Sequence, residues 1–327
     1  MQVTLFGGRG LAVAAGGAFH RVGEVAGALL GQAHSATEAF GQGGEPVPGV
    51  LGGGQPRGVL GERGRPPVAV LGGLALTRGE DLFEAVELVV VDNHSDDGTP
   101  EIARRFADTV LTVGPERSAQ RNAGIEAATG EWVVWLDSDM ILPPTTLAVA
   151  LATALEEDAV GVALPERTIG DGFWTACRAL ERSCYLDDPW LHNPRLVRRA
   201  YLVDGGGFHL AMSGPEDADL RLRMHADGSR IALAPILVDH DEGRLTVADV
   251  LRKRYYYGRS IPAFAERHDG AVAAQGKAVL ASYVRNRGTL LRDPLHAVGM
   301  VALRGLEAAG YALGARRGRR DARRTGA

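Results

Sequence analysis

The sequence predicts an α/β fold built on a doubly wound, largely parallel sheet. Two apolar runs carry this prediction, Val86-Glu87-Leu88-Val89-Val90-Val91 and Trp132-Val133-Val134-Trp135-Leu136, both closed by aspartates. Runs this continuous, and in the first case rich in β-branched residues, read as strands buried on both faces. A helical segment, a short strand and a second helical segment separate them, so the order is β-α-β-α-β. That order brings both acidic turns to one sheet edge, where open α/β sheets bind ligands.

Residues before the first run fit no such pattern. They hold 21 of the 44 glycines, and Gly41-Gln42-Gly43-Gly44-Glu45-Pro46 and Gly52-Gly53-Gly54-Gln55-Pro56 read as flexible, low-complexity chain. Enrichment in Gly, Ala, Arg and Pro is what a shifted reading frame or a wrongly chosen start in G+C-rich DNA produces; a genuine disordered extension is the alternative. Gly7-Gly8-Arg9-Gly10 only imitates a phosphate loop, because no convincing helix follows it.

After the first run, Asp92 opens a polar turn in which Asp96 and Asp97 are placed to cap a helix and Pro100 suits its first turn. Helical spacing covers Glu101 to Ala107, Val110-Leu111-Thr112-Val113 is a short strand, and Ser118 to Gly130 is a helix closed by glycine. The second run ends in Asp137-Ser138-Asp139. Two carboxylates one residue apart are costly to bury unpaired. At a strand end they suit Mg²⁺ or Mn²⁺ carrying a diphosphate; a turn or helix cap before Pro143-Pro144 is the competing use. Farther on, Gly214-Pro215-Glu216-Asp217 leads into a helix over 217–224, and a strand over 231–238 precedes His240.

In this order the segments around Asp92, around Arg121 and Asp137, around Gly206-Gly207 and Glu216-Asp217, and at Asp239-His240 resemble the motifs of family 2 glycosyltransferases, whose fold is called GT-A. The resemblance runs from about Val86 to about Gly258. It implies that Asp92 meets the nucleotide base or ribose and that Arg121 approaches the nucleotide or its phosphates. Asp137 and Asp139 would hold the sugar nucleotide through Mg²⁺ or Mn²⁺, and His240 would complete the metal shell. Gly206, Gly207 and Glu216 would meet the acceptor. Asp217 would be the base that deprotonates the acceptor hydroxyl in an inverting transfer. The implied partners are a nucleotide-diphospho-sugar donor and a saccharide, lipid-linked or small-molecule acceptor. The family's first strand and Pro-containing loop are not recognisable, so the base pocket is expected to be incomplete and the activity impaired. A nucleotidyltransferase of related fold, and a non-catalytic membrane-associated protein with a decayed nucleotide site, are the alternatives.

Composition agrees with a globular chain, at 45% hydrophobic and 23% charged residues. A net charge of -4 excludes a generally basic nucleic-acid binder. Cys177 and Cys184, seven apart on a helix, are expected to be core thiols. No basic start with a compact apolar core marks a signal peptide, so a cytoplasmic site is expected, peripheral at the inner face of the cell membrane. The expected units are a Gly-rich region to residue 85, a GT-A domain over 86–243, a basic and aromatic helical region over 244–293 containing Arg252 to Arg259, and a helix with a polybasic tail over 294–327. His296, Arg304 and Glu307 make that last helix a poor membrane span. Lying in an anionic membrane interface is the favoured reading, and docking on the catalytic domain competes with it.

Overall fold

The computed structural model describes residues 2–7, 10–14, 86–137 and 139–325. β1 (Gln2–Gly7) and β2 (Gly10–Ala14) pair antiparallel with Gly7 opposite Gly10. This glycine pair joins two strands, where a phosphate loop would lead from a strand into a helix. Two strands thus lie in the region whose sequence shows no strand-helix-strand pattern, and backbone hydrogen bonds pair them with the strand Glu87–Asp92. The Gly-rich stretches fall within 15–85, outside the described residues, as does most of the segment before Val86 to which the proposed frame shift applies.

β3 (Glu87–Asp92), α1 (Thr99–Ala103), β4 (Thr109–Thr112), α2 (Arg117–Ala127) and β5 (Trp132–Leu136) follow. Asp97 accepts the Thr99 N–H at 3.2 Å and so starts α1, which is shorter than the expected helix. β3 and β4 run parallel with Asp92 opposite Thr112. β1 pairs with β5 and, beside β2, with β3 as well, antiparallel to both, with Gln2 opposite Val91 and Val3 opposite Leu136. β3 and β5 therefore point the same way, and Asp92 and Asp137 leave the sheet at one edge and at nearly the same height.

The core is completed by β6 (Met140–Ile141), α3 (Thr146–Glu156), β7 (Gly161–Ala163), β8 (Glu166–Ile169), α4 (Phe173–Ser183), β9 (Pro194–Arg198), α5 (Arg199–Asp204), α6 (Glu216–Ala226), β10 (Ile231–Leu233) and β11 (Val238–Asp241). The large sheet has the order β10-β7-β9-β5-β1-β2-β3-β4, with β9 antiparallel to β5 and β7. β6, β11 and β8 form a second sheet. The single strand expected over 231–238 is thus two strands in different sheets. Pro235 has no N–H for a ladder, and the chain leaves one sheet and enters the other around it. This crossing sets His240 opposite Met140 on one side and Thr168 on the other. Buried Val89, Val91, Val133, Val134, Leu196 and Leu220 form the centre of the core beneath these edges.

The C-terminal helices are α7 (Val247–Gly258), α8 (Ile261–Arg267), α9 (Ala271–Arg285), α10 (Arg287–Arg292) and α11 (Pro294–Thr325). Thr246 caps α7 by accepting the Asp249 N–H at 3.2 Å. α11 packs along α7 and α4. Its glycines let the backbones touch: a Cβ on Gly258 would sit 2.6 Å from the Tyr311 carbonyl and 3.0 Å from the Gly314 Cα. One side of the last helix is therefore docked on the catalytic core, where the favoured expectation had laid it in a membrane interface. Cys177 is buried beneath it, and both cysteines are free thiols. Among the described residues no helix is long and apolar enough to cross a membrane.

Ion pairing explains the docking. Glu307, 2% exposed, accepts from Arg254 at 2.6 Å, from Arg304 at 2.8 Å and from Arg178 on α4. Burial pushes its carboxyl up, but Arg178, Arg254 and Arg304 outweigh that and bring it down to about 2. A carboxylate lowered in the folded state stabilises the fold above its ordinary value and loses that contribution as pH falls through its folded value. Glu307→Gln leaves buried guanidiniums uncompensated and should cost about 3–5 kcal/mol at neutral pH. In urea titrations the gap between parent and variant should narrow as pH drops from 4.5 towards 2. A constant gap would mean that Glu307 acts through packing alone.

Candidate active site

The site is organised around a buried guanidinium. Arg121, 1% exposed, leaves α2 beneath the end of β5 and lies over the rings of Phe208 and Trp135, 5.1 and 5.9 Å from their centroids. Its Nη1 donates to Asp217 Oδ1 at 2.5 Å and lies 3.4 Å from Glu216 Oε1, while Nη2 reaches Asp137 Oδ1 at 3.5 Å. Trp135 Nε1 donates to the same Asp217 oxygen at 3.2 Å. Arg195, from β9, donates to Asp137 Oδ2 at 3.4 Å and to Glu166 at 2.8 Å. Burial alone would raise the Asp137 carboxyl; Arg117, Arg195 and Arg121 reverse this and hold it far below the usual carboxylate range. Glu216 shows the opposite balance. Burial, with Asp217 beside it, raises its carboxyl against the pull of Arg121 and Arg117.

The second sheet builds the other half. Asp139 enters β6, Glu166 opens β8, and His240 lies on β11 between them. His240 Nε2 is 3.3 Å from Asp139 Oδ2, and Nδ1 is 2.9 Å from Glu166 Oε2. Burial pushes the imidazole down, but hydrogen bonds to Asp139 and Glu166 overcome it and raise it to about 9. The spot attracts positive charge. Among the described residues the buried Asp139 Oδ1 has no hydrogen-bond partner. Asp137, expected in the same metal shell, instead turns its oxygens to Arg121 and Arg195. Among the described residues no three His, Cys, Asp or Glu side chains converge in a metal-holding arrangement.

These groups face a cavity of about 1020 Å³. Asp137, Asp139, His240 and Asp217 line it, with Asn93, Arg117 and Arg195, and α7 closes one wall with Lys253, Tyr256 and Tyr257. The basic, tyrosine-rich stretch of α7 thus meets the site: Arg117 Nη2 donates to the Tyr257 hydroxyl at 2.9 Å. Asp92 sits just beneath the wall. Its Oδ2 accepts the Ser95 N–H at 2.8 Å, and its buried Oδ1 has no partner among the described residues. Gly206 and Gly207 are not on the wall. Both have positive φ, 74° and 67°, and turn the chain after α5, after which Phe208 packs under Arg121. Glu216 is fully buried, its carboxylate accepting the Gly214 N–H.

Glu166, Arg195, Arg117 and Trp135 were not legible as site residues. No spacing in the sequence links them to the aspartates; strand order alone does. The one available signal was charge within the apolar segments that flank Glu166 and Arg195.

Residues 76–208 match the family model described as glycosyl transferase family 2. This segment is a family 2 glycosyltransferase domain. Its α/β fold is GT-A, and the match begins ten residues before Val86, where the resemblance was first legible. Asp92, Arg121, Asp137 and Asp139 fall inside the matched glycosyltransferase segment, and Glu216, Asp217 and His240 lie beyond it. The chain is similar to an uncharacterized glycosyltransferase, YibD, of Escherichia coli, at 34% identity over 82 residues, 23% of this chain and 24% of that protein. It is also similar to the pre-mycofactocin glycosyltransferase of Mycobacterium tuberculosis, at 28% identity over 53% of this chain and 40% of that one. The matches thus span less than half the length of these curated relatives. A solved mannosyltransferase from Pyrobaculum calidifontis, in complex with GDP-Man and Mn²⁺, is similar over 71% of this chain and 77% of that one, with a TM-score of 0.45 and 18% identity.

The Arg121 cluster gives a direct test within the glycosyltransferase domain. Arg121→Met keeps the stem against Phe208 but strands Asp137, Glu216 and Asp217 without their shared cation. The loss should be about 3–5 kcal/mol in denaturant titrations at neutral pH. Burial already raises the Glu216 carboxyl, so its protonation on mild acidification should relieve the stranded charge and return part of that loss. An unchanged stability at neutral pH would show that the cluster is solvated rather than structural.

Proposed function

We propose that the chain is a metal-dependent, inverting glycosyltransferase that moves a sugar from a nucleotide-diphosphate sugar to a hydroxyl acceptor. The observation that carries this reading is the convergence of Asp137, Asp139, His240 and Asp217 on one cavity. A donor diphosphate and an acceptor hydroxyl have to meet in one such space.

The donor set fits a divalent cation at Asp139 and His240. Asp139 offers a buried oxygen without a partner among the described residues, and Glu166 behind Nδ1 orients the His240 ring as metal-ligating histidines require. The Asp139 carboxylate suits Mg²⁺ or Mn²⁺, and the softer imidazole favours Mn²⁺ of the two. A cation bound there would act as a Lewis acid toward the leaving diphosphate. In this reading Asp137 anchors Arg121 and Arg195 rather than serving as a ligand. Arg117 and Lys253, on the cavity wall, supply fixed positive charge for the diphosphate. The free oxygen of Asp92 is left to accept a hydrogen bond from the base or ribose.

Asp217 takes the acceptor proton. Its Oδ1 is held by Arg121 and Trp135, so Oδ2, with Arg195 Nη1 at 3.8 Å, is the oxygen available to the hydroxyl. The hydroxyl oxygen attacks the anomeric carbon as the bond to the diphosphate breaks on the opposite face, and the proton passes to Asp217. Glu216 holds the start of α6 through Gly214 and so sets where Asp217 stands. The acceptor is a saccharide, a lipid-linked sugar or a small metabolite, and a peripheral position at an anionic membrane surface belongs to the same reading.

Two substitutions test it. Asp139→Ala should abolish Mn²⁺-dependent binding of UDP, read by calorimetry, while the thermal melt stays cooperative. Equal affinity in variant and parent would remove Asp139 from the metal site. Asp217→Asn keeps size and donor affinity but loses basicity, so kcat should fall about a hundred- to ten-thousand-fold under saturating donor. Glu216→Gln should be milder, and the reverse ranking would move the base to Glu216.

A further inference from the structure

α11 is turned inside out. A surface helix ordinarily sends its charges to solvent and its apolar side inward. Here Glu307 is buried and Arg304 and His296 are half-buried, each bound to a neighbouring side chain on the inner side or at the helix start. From Leu295 to Leu313 every exposed residue is Leu, Val, Ala or Gly. Leu295, Val298 and Val301 are 66%, 72% and 65% exposed. The uncharged face extends about 27 Å along the axis at the rise of an α-helix. Leu280 and Val284 on α9 and Leu291 on α10 are exposed as well, and α10 packs against both α9 and α11. Single exposed aliphatics need no explanation; a continuous uncharged helix face does.

The fully exposed charges around this face are arginines, while Asp293 and Asp321 are half-buried beside them, in ion pairs with His296 and Arg317. Arg285, Arg287 and Arg292 are exposed on the two preceding helices. Beyond Leu313 the same helix exposes Arg316, Arg317, Arg319, Arg320 and Arg323. An aliphatic strip flanked by arginines complements the acyl boundary and anionic headgroups of a bilayer.

We propose that the outer face of α11, with Leu280, Val284 and Leu291 beside it, is a monotopic docking surface for an anionic lipid bilayer, held there while the inner face stays locked on the catalytic core by Glu307. This rests on the peripheral position in the reading above and not on the transfer chemistry, so vesicle binding and transfer rate fail separately. It differs from an anchor that peels off the domain: the helix binds lipid without leaving α7. The cavity would then be held at a fixed distance from the membrane surface.

The test uses the full chain with vesicles of phosphatidylcholine alone and of phosphatidylcholine mixed with phosphatidylglycerol. Cosedimentation should require the anionic lipid and weaken as salt screens the arginines. Val298→Glu with Val301→Glu should reduce partitioning at least tenfold with an unchanged melting profile, since both side chains are exposed. Arg316→Gln with Arg317→Gln should weaken binding and flatten its salt dependence while leaving the aliphatic strip intact. No cosedimentation of the parent, or equal partitioning of parent and Val298→Glu with Val301→Glu, overturns the proposal. Concentration-dependent dimerisation that the glutamates abolish, without vesicle binding by the parent, overturns it too and assigns the face to a second copy.

Discussion

The site depends on one buried cation. Arg121 touches three carboxylates from two elements: Asp137 at the end of β5, and Glu216 and Asp217 at the start of α6. An unpaired buried carboxylate costs several kcal/mol to desolvate, and Arg121 offsets that cost at all three, with Arg195 also pairing Asp137. Arg121 is itself kept in place by the Phe208 and Trp135 rings and has no room to swing to solvent. The pairing therefore fixes the distance between the sheet edge and the helix start. The chemistry proposed for this chain needs that distance fixed, since the donor end and the base must meet the same sugar carbon.

A second buried ion cluster does for the C-terminal helices what Arg121 does for the cavity. Glu307 binds Arg178, Arg254 and Arg304 and so ties α11 to α4 and α7, and α7 in turn forms a cavity wall. Glycines at 258 and 314 bring the backbones close enough for those pairs to form. Turning the charges inward leaves aliphatic residues on the outside. The same inversion that locks the helix on the domain thus creates the surface proposed for lipid. The two faces are one consequence of one sequence pattern.

Much of the fold was legible because its signals are local. The apolar runs of β3 and β5, the helix between them and the acidic entry to α6 each depend on neighbours within a few residues. Asp92 and Asp137 were expected at one edge, and the β1 register puts them there. Other readings failed for physical reasons. β1 and β2 are short runs interrupted by Gly7-Gly8 and Gly10 at the head of a Gly-rich region, and their pairing with β3 is a long-range backbone contact. The strand over 231–238 broke because Pro235 cannot serve a ladder, and the break is what delivers His240 to Asp139.

By itself the sequence determined the α/β class, the order of the core elements and the acidic residues that end the strands, because hydrophobic period, turn chemistry and capping are written in adjacent positions. Tertiary structure alone decided which groups those acids meet. Glu166 and Arg195 lie 29 residues apart in the chain, and Arg121 and Asp217 lie 96 apart. Nothing in either spacing encodes contact. Strand order and the crossing from one sheet to the other bring them within hydrogen-bond reach. The same holds for α11: composition left membrane and core as rival partners for the whole helix, and packing assigned the core to the face that carries Glu307, since a buried carboxylate is stable only where guanidiniums surround it.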